Sequence, residues 1–173
     1  MGVLRENGVG LGGRRGMDGI DGIQCNMTNT MNTPIEEIER SLPLMITRYE
    51  FRPGSSGAGQ WRGGCGLVRR YRILAGGTTF TILADREWHA PWGLWGGRPG
   101  ARTEVLVMHR GREFRVPTKS TLTLMRGDEV EIRTAGGGGF GPPSKRRLDA
   151  VRRDMADGLV SRAILSGKYD QMR

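Results

Sequence analysis

Three stretches of this 173-residue chain carry groups that could do chemistry. The first is Asp85-Arg86-Glu87-Trp88-His89-Ala90-Pro91-Trp92-Gly93, which sets a carboxylate, a guanidinium and an imidazole beside two tryptophans. His89 has the right intrinsic acidity to move protons near neutral pH, but a working acid or base needs an orienting partner, and the stretch supplies none by itself. A surface or interface histidine is the simpler reading. Arg86, paired with Asp85 or Glu87, could clamp a substrate carboxylate with its planar fork. The same pair could equally brace a loop. The second stretch is Gly136-Gly137-Gly138-Gly139-Phe140-Gly141. Consecutive glycines let backbone N–H groups approach a phosphate or oxyanion. No Gly-Lys-Ser/Thr follows, and the chain runs into Pro142-Pro143 instead of a helix, so this is not a P-loop. A crossing of backbone against backbone fits the residues better. The third runs from Arg52 to Gly64 and holds Ser55 and Ser56 among glycines. It lacks the Gly-x-Ser-x-Gly pattern of a nucleophile elbow and reads as a long hairpin loop.

Other chemistry is poorly supplied. The only histidines are His89 and His109, and the only cysteines are Cys25 and Cys65, with no CxxC pair. A self-contained zinc site of ordinary spacing is therefore not expected, nor a disulfide framework. Each cysteine reads as a small buried side chain.

The elements that must position these groups are mostly strands. Leu44, Ile46 and Arg48 alternate with Met45, Thr47 and Tyr49. Strand patterns recur at 67–74, 79–84, 104–108, 113–116, around Leu122 and Leu124, and around Val130 and Ile132. His109-Arg110-Gly111-Arg112 joins two of them as a hairpin, and Arg126-Gly127-Asp128 is a turn. Short strands at this spacing with Gly-rich turns predict a mainly β chain, an antiparallel sandwich or barrel-like domain. Thr33 and Pro34 predict a short N-terminal helix from Ile35, ended by Pro43. Ser144 is placed to cap a helix from Lys145 to Met155, with Leu148, Val151 and Met155 on its apolar stripe and Asp157-Gly158 as its stop. A second short helix is expected from Ser161 to about Tyr169. The organisation predicted is a Gly-rich segment over 1–32, the remnant of a preceding part of a fold, a β-rich domain over 33–141, and a helical tail over 142–173.

The net charge is +9, from 27 Lys and Arg against 18 Asp and Glu. That balance invites a stand-alone basic β module binding nucleic acid or another polyanion, with Trp61, Trp88, Trp92 and Trp95 available for stacking. Acids are interleaved throughout, as in Arg48-Tyr49-Glu50, so nucleic acid is not the expected partner. The dense block at Lys145-Arg146-Arg147 reads as a solvated helix face. No apolar run is long enough to span a bilayer, and residues 1–16 lack the centre of a secretory signal, so the expected location is cytoplasmic.

Read in order, the segments resemble one family. Asn29-Thr30, Asn32-Thr33-Pro34-Ile35-Glu36, Tyr49-Glu50-Phe51-Arg52-Pro53, Ser56-Gly57-Ala58-Gly59 and Arg62-Gly63-Gly64 with Gly66-Leu67-Val68 come first. Asp85-Arg86, Pro91-Trp92-Gly93-Leu94, Gly96-Gly97, Pro99-Gly100, Lys119, Gly127-Asp128, Gly136 to Gly141, Val151-Arg152-Arg153-Asp154 and Asp157-Gly158-Leu159-Val160-Ser161 follow. This ordered set resembles the C-terminal region of the hydantoinase B / 5-oxoprolinase family. The resemblance implies opening of lactam or hydantoin rings, or in some members carboxylation of ketones. It also implies an A-type partner that binds ATP, and in some members a divalent metal. B-type chains of this family are much longer, and the resemblance places the metal ligands in an upstream part. Where family members carry histidines before the Thr-Asn-Thr stretch, this chain has Gln24 and Asn26. The chain is thus expected to be a C-terminal fragment, a split subunit or the product of a truncated frame, inactive alone. Asn29, Asn32, Arg62, Asp85, Arg86, His89, Lys119 and Gly136, Gly137, Gly138 and Gly139 are the residues expected to shape a site completed elsewhere. None is expected to be catalytic.

Overall fold

The computed structural model describes residues 8–24 and 32–160. Asn29, Asn26, Cys25 and the helix expected after Ser161 lie outside the described residues. Among those described, the order is helix α1 (Ile35–Ser41), strands β1 (Leu44–Phe51), β2 (Leu67–Ile73), β3 (Thr78–Leu83), β4 (Glu104–His109), β5 (Arg112–Val116), β6 (Lys119–Leu124) and β7 (Glu129–Arg133), a 3-10 turn at Pro143–Lys145, and helix α2 (Leu148–Ala156). The fold is mainly β and sandwich-like, with two antiparallel sheets and no closed barrel. One sheet has five strands in the order β1-β2-β7-β4-β5; the other pairs β3 with β6.

Period-two alternation explains the core. Tyr71 and Ile73 of β2, Val130 and Ile132 of β7, Val105 and Val107 of β4 and Val116 of β5 share one buried cluster with Ile82 and Leu124 of the small sheet and Ile38 of α1. Burying each large aliphatic side chain contributes roughly 1.5–3 kcal/mol. On the other face of the large sheet, arginines and glutamates stand opposite one another. Arg70 pairs with Glu131 and Arg72 with Glu129 across β2 and β7.

Strand β1 departs from the simple alternation at one point. Ile46 sits opposite Tyr71, but Arg48 sits opposite Arg70, so Thr47 is an extra residue in a β-bulge. A bulge inverts the faces that follow it. Leu44 and Ile46 therefore pack on the core, whereas Arg48 joins the charged face against Glu50 and Glu131. Tyr49 is turned toward Arg69, whose guanidinium lies 4.8 Å from its ring.

The two helices begin differently from expectation. Pro34, not Thr33, occupies the cap position of α1, without a side-chain cap bond. Helix α2 starts at Leu148, because Arg146 and Arg147 are extended, with ψ of 132° and 138°. Arg146 is drawn inward by carboxylates, which interrupts the helix expected from Lys145. Leu148 is exposed, so the inner face of α2 is Val151 and Asp154 with half-buried Met155. Asp157 with Gly158 (φ 71°) ends the helix as expected.

The glycine segments form a second body of structure. Ala135 accepts from Gly10 N–H and Gly138 from Gly13 N–H, three residues apart on both segments. Gly136 donates to Ala101 and Gly139 to Arg98, again three apart. Gly19 donates to Arg62 and Gly22 to Cys65 in the same rhythm. A bond to the same neighbour at every third residue is the signature of a three-residue turn, the path of a polyproline II-type helix. Such a path makes no bonds within itself, so its N–H and C=O groups point sideways to several neighbours. Residues 135–139 accordingly bond to segments 10–13, 57–64, 94 and 98–101. Glycine is required because the backbones nearly touch. A Cβ on Gly137 would lie 1.9 Å from the Leu11 carbonyl oxygen, and one on Gly138 1.9 Å from that of Trp92.

Candidate functional site

The residues singled out from the sequence fall into separate neighbourhoods. Gly136, Gly137, Gly138 and Gly139 lie inside the bundle. The N–H groups of Gly136, Gly137 and Gly139 are donated to neighbouring carbonyls at 3.2, 2.9 and 2.9 Å. They are occupied by backbone and do not present an anion cradle, which is the crossing the sequence favoured. Ser55 is buried. Its hydroxyl donates to Arg52 O at 2.7 Å and accepts from Gly66 N–H at 2.9 Å. The stretch expected as a hairpin loop does join β1 to β2, but residues 55–59 are buried in the bundle instead of forming an open loop.

Arg62 is the most enclosed of the candidates that carry a charge. Its Nη1 and Nη2 donate to the two oxygens of Asp21 at 2.7 and 3.0 Å, and its Nε donates to Asp154 at 3.0 Å. Arg146 donates from Nη1 and Nη2 to Asp18, both at 2.8 Å, and from Nη2 to Asp154 at 2.8 Å. Asp18 also accepts Arg62 N–H at 2.8 Å, and Asp21 accepts Cys65 N–H at 2.6 Å. The network ties the opening segment, the bundle and α2 together. Burial opposes the charge on Asp18, but the hydrogen bond and charge of Arg146 outweigh it and hold this carboxyl below its usual range. Burial likewise opposes the charge on Arg62, and Asp21 and Asp154 overcome it, keeping the guanidinium firmly protonated. Burial and then the Asp21 charge push the Cys65 thiol up, so it is not a ready nucleophile. The expectation that Arg146 lies on a solvated helix face is corrected here: its side chain is 1% exposed. None of Asp18, Asp21, Arg146 and Asp154 was expected from the sequence to shape the site. The legible signal was an aspartate three residues after Val151, on the inner stripe of a helix.

A third neighbourhood lies where β3 leaves the small sheet. Asp85 and Lys119 form an exposed pair at 3.3 Å. Glu87 does not pair with Arg86. Its Oε2 accepts the backbone N–H and hydroxyl of Thr118, both at 2.9 Å, and these bonds lower its pKa. Arg86 instead lies over the Trp92 ring, 5.4 Å from its centroid. His89 is exposed and has no polar partner among the described residues. Asn32 stands apart, its Oδ1 accepting from Arg69 Nη1 at 2.9 Å.

These positions do not converge on one reacting atom. Among the described residues no group of three or more His, Cys, Asp and Glu could hold a metal ion. Asp18, Asp21 and Asp154 are each engaged by arginine, so they do not fit a divalent metal, and the occupied glycine amides do not fit the phosphates of ATP. No described helix is long and apolar enough to cross a membrane.

Residues 1–143 match the family model for hydantoinase B/oxoprolinase. The chain belongs to this family. It is 46% identical over 131 residues to an uncharacterized protein of Methanocaldococcus jannaschii, covering 76% of this chain and 23% of that one. It is 36% identical over 154 residues to a Pseudomonas sp. protein named for the B-type chain of a D-/L-hydantoinase, covering 87% of this chain and 26% of the relative. Among solved structures it resembles the ATP-dependent caprolactamase of Pseudomonas jessenii, with a TM-score of 0.80, 27% identity, and coverage of 93% of this chain and 29% of the other. Acetone carboxylase shares the fold, with a TM-score of 0.75 at 20% identity over 88% of this chain and 25% of that one. The chain thus spans about a quarter of the length of these proteins.

Proposed function

We propose that this chain is the C-terminal part, or a split subunit, of a hydantoinase B / 5-oxoprolinase-type enzyme that opens lactam or hydantoin rings by amide C–N hydrolysis. It works with an ATP-binding A-type partner and with the upstream part of a B-type chain, and is inactive alone. The observation that carries this reading is the family match, together with a buried ion network that fully engages Arg62. Arg62, Arg146, Asp18, Asp21 and Asp154 are bonded to one another, so none of these five is free to act on a substrate. ATP and any divalent metal belong, in this reading, to the A-type partner and the upstream B-type part.

Asn32, Asp85, Arg86, His89 and Lys119, with Asn29, are proposed to border the completed site, and Arg62 and Gly136 to Gly139 to hold its wall in shape. The division into an opening segment to residue 32, a β body over 33–141 and a tail from 142 remains the proposed organisation. A cytoplasmic location goes with it. Lactam hydrolysis is favoured over ketone carboxylation because the likeness to caprolactamase extends to sequence, whereas that to acetone carboxylase is one of fold. The test is an assay with ATP, a divalent metal and 5-oxoproline or a hydantoin. Turnover is expected only when an A-type partner and the upstream B-type part are added. Turnover by this chain alone overturns the proposal.

A further inference from the structure

Three of the four tryptophans face solvent: Trp88 is 75%, Trp92 67% and Trp95 77% exposed, and Leu94 between the last two is 48% exposed. Large aromatic side chains are seldom left this open unless something covers them. The backbone makes the arrangement more unusual. Trp95 has φ 52° and Gly96 φ 89°, in a tight turn closed by Gly97 N–H to Leu94 O at 2.9 Å. A left-handed conformation is costly for a bulky L-residue and is normally filled by Gly or Asn. Here it holds an indole at the tip of the turn. Arg86, at φ 67°, is a second non-glycine residue in this region of conformation, and it stacks on Trp92. Strain kept at exposed groups is a reason to look for function.

The aromatic row is also rigidly mounted. Leu94 N–H donates to Gly139 O and Gly141 N–H to Leu94 O, each at 2.9 Å. The Phe140 ring lies 6.3 Å from that of Trp95 and 5.7 Å from that of Trp61. The Trp92 carbonyl packs on Gly138. The turn is thus fixed to the glycine bundle, and a preorganised aromatic anchor loses little freedom on binding.

We propose that Trp92, Leu94 and Trp95 form the face on which the upstream part of a B-type chain docks, and that its contact surface is apolar at the centre and acidic at the rim. The proposal rests on the functional reading above and names the surface it requires. Two observations select this occupant. The chain spans about a quarter of the relatives it matches, so most of such an assembly lies outside these 173 residues. Arg86 and Arg98 are exposed beside the row, with no carboxylate in ion-pair range among the described residues, on a chain of net charge +9. Acidic side chains on the partner complement them.

The test co-expresses this chain with the Pseudomonas B-type relative from which the matched 154 residues have been deleted. The expected result is a soluble one-to-one complex, with tryptophan emission shifted to the blue as the indoles leave water. Trp92→Ala combined with Trp95→Asn should reduce complex recovery at least tenfold, while Phe114→Ala, on edge strand β5, should not. Asn accepts the left-handed turn, and an unchanged melting temperature checks that the variant is folded. Equal recovery with the double variant overturns the docking face and leaves the functional reading standing. No complex with either chain overturns both. A dimer of this chain alone that the double variant dissolves overturns the choice of occupant.

Discussion

Arg62 and Arg146 grip opposite oxygens of a single buried carboxylate, that of Asp154: Arg62 Nε lies 3.0 Å from Oδ1 and Arg146 Nη2 2.8 Å from Oδ2. The Asp154 side chain is only 9% exposed, and those of Arg62 and Arg146 are 8% and 1%. Removing Asp154 leaves Arg62 its pair with Asp21 and Arg146 its pair with Asp18, but strips the buried Nε donors of both arginines of their acceptor, which costs about 1–3 kcal/mol. Asp154→Ala should therefore lower unfolding free energy by that amount in urea titration and release α2 from the bundle. Exposed Asp149 pairs with Arg147 on the outer side of the same helix, and Asp149→Ala should leave stability nearly unchanged, because water screens the pair. Similar losses from both variants would refute the network as the clamp on this helix.

This network and the charged face of the large sheet together set an acid limit. Unfolded, Asp18 titrates near its ordinary 3.8, and Glu131 near 4.5. Burial opposes ionisation of both, yet Arg146 lowers the folded value for Asp18, and Arg133 with Arg70 lowers it for Glu131. Between the unfolded and folded values the unfolded chain binds more protons, so stability falls as pH falls. Unfolding free energy should be flat from about pH 7 to 5 and decline from about pH 4.5 downward, through the folded values of both groups. Asp18→Asn should be less stable at neutral pH and show a shallower acid decline. An unchanged acid slope in that variant would remove Asp18 from the account.

The sheets were legible from sequence because apolar and polar residues alternate along most strands, even where arginines bury the polar side as they do Glu131. Val130 and Ile132 against Glu129, Glu131 and Arg133 is the plainest case. The bulge at Thr47 was not legible. Leu44, Ile46 and Arg48 keep the same period whether or not an extra residue is inserted, and only the partner strand reveals the inversion. The glycine segments were readable as close crossings but not as a bundle, since a three-residue path without side chains leaves no hydrophobic pattern. The buried ion network was hidden for a related reason. Arg146 sits in a run of basic residues that ordinarily faces water, and its partners Asp18 and Asp154 lie 128 and 8 positions away.

The glycine bundle makes a sharp contrast between two substitutions. A Cβ on Gly137 would stand 1.9 Å from Leu11 O and 2.8 Å from Gly12 N, both backbone atoms that cannot step aside alone. A Cβ on Gly12 would meet only Gly138 O at 3.7 Å, an ordinary contact. Gly137→Ala should cost about 3 kcal/mol or more, the upper end for overpacking, and yield mostly insoluble protein. Gly12→Ala should stay within about 0.5 kcal/mol of the parent. Thermal melting of the two variants side by side checks the packing, and tolerance of alanine at 137 would refute it.

Cys65 offers a probe of whether the bundle opens. Its side chain is fully buried, beside Asp21, and both burial and that charge disfavour the thiolate. The thiolate is the reacting form, so a thiol reagent should modify this residue only when the surrounding segments separate. In a Cys25→Ser background, labelling of Cys65 in native buffer should be slow and should accelerate with urea in parallel with loss of structure. Asp154→Ala should raise the native labelling rate, because Arg62, which sits next to both Asp21 and Asp154, would lose one of its two carboxylates. Rapid labelling of the parent chain would show that the bundle opens independently of the β sheets, and the ion network could then not be what holds it closed.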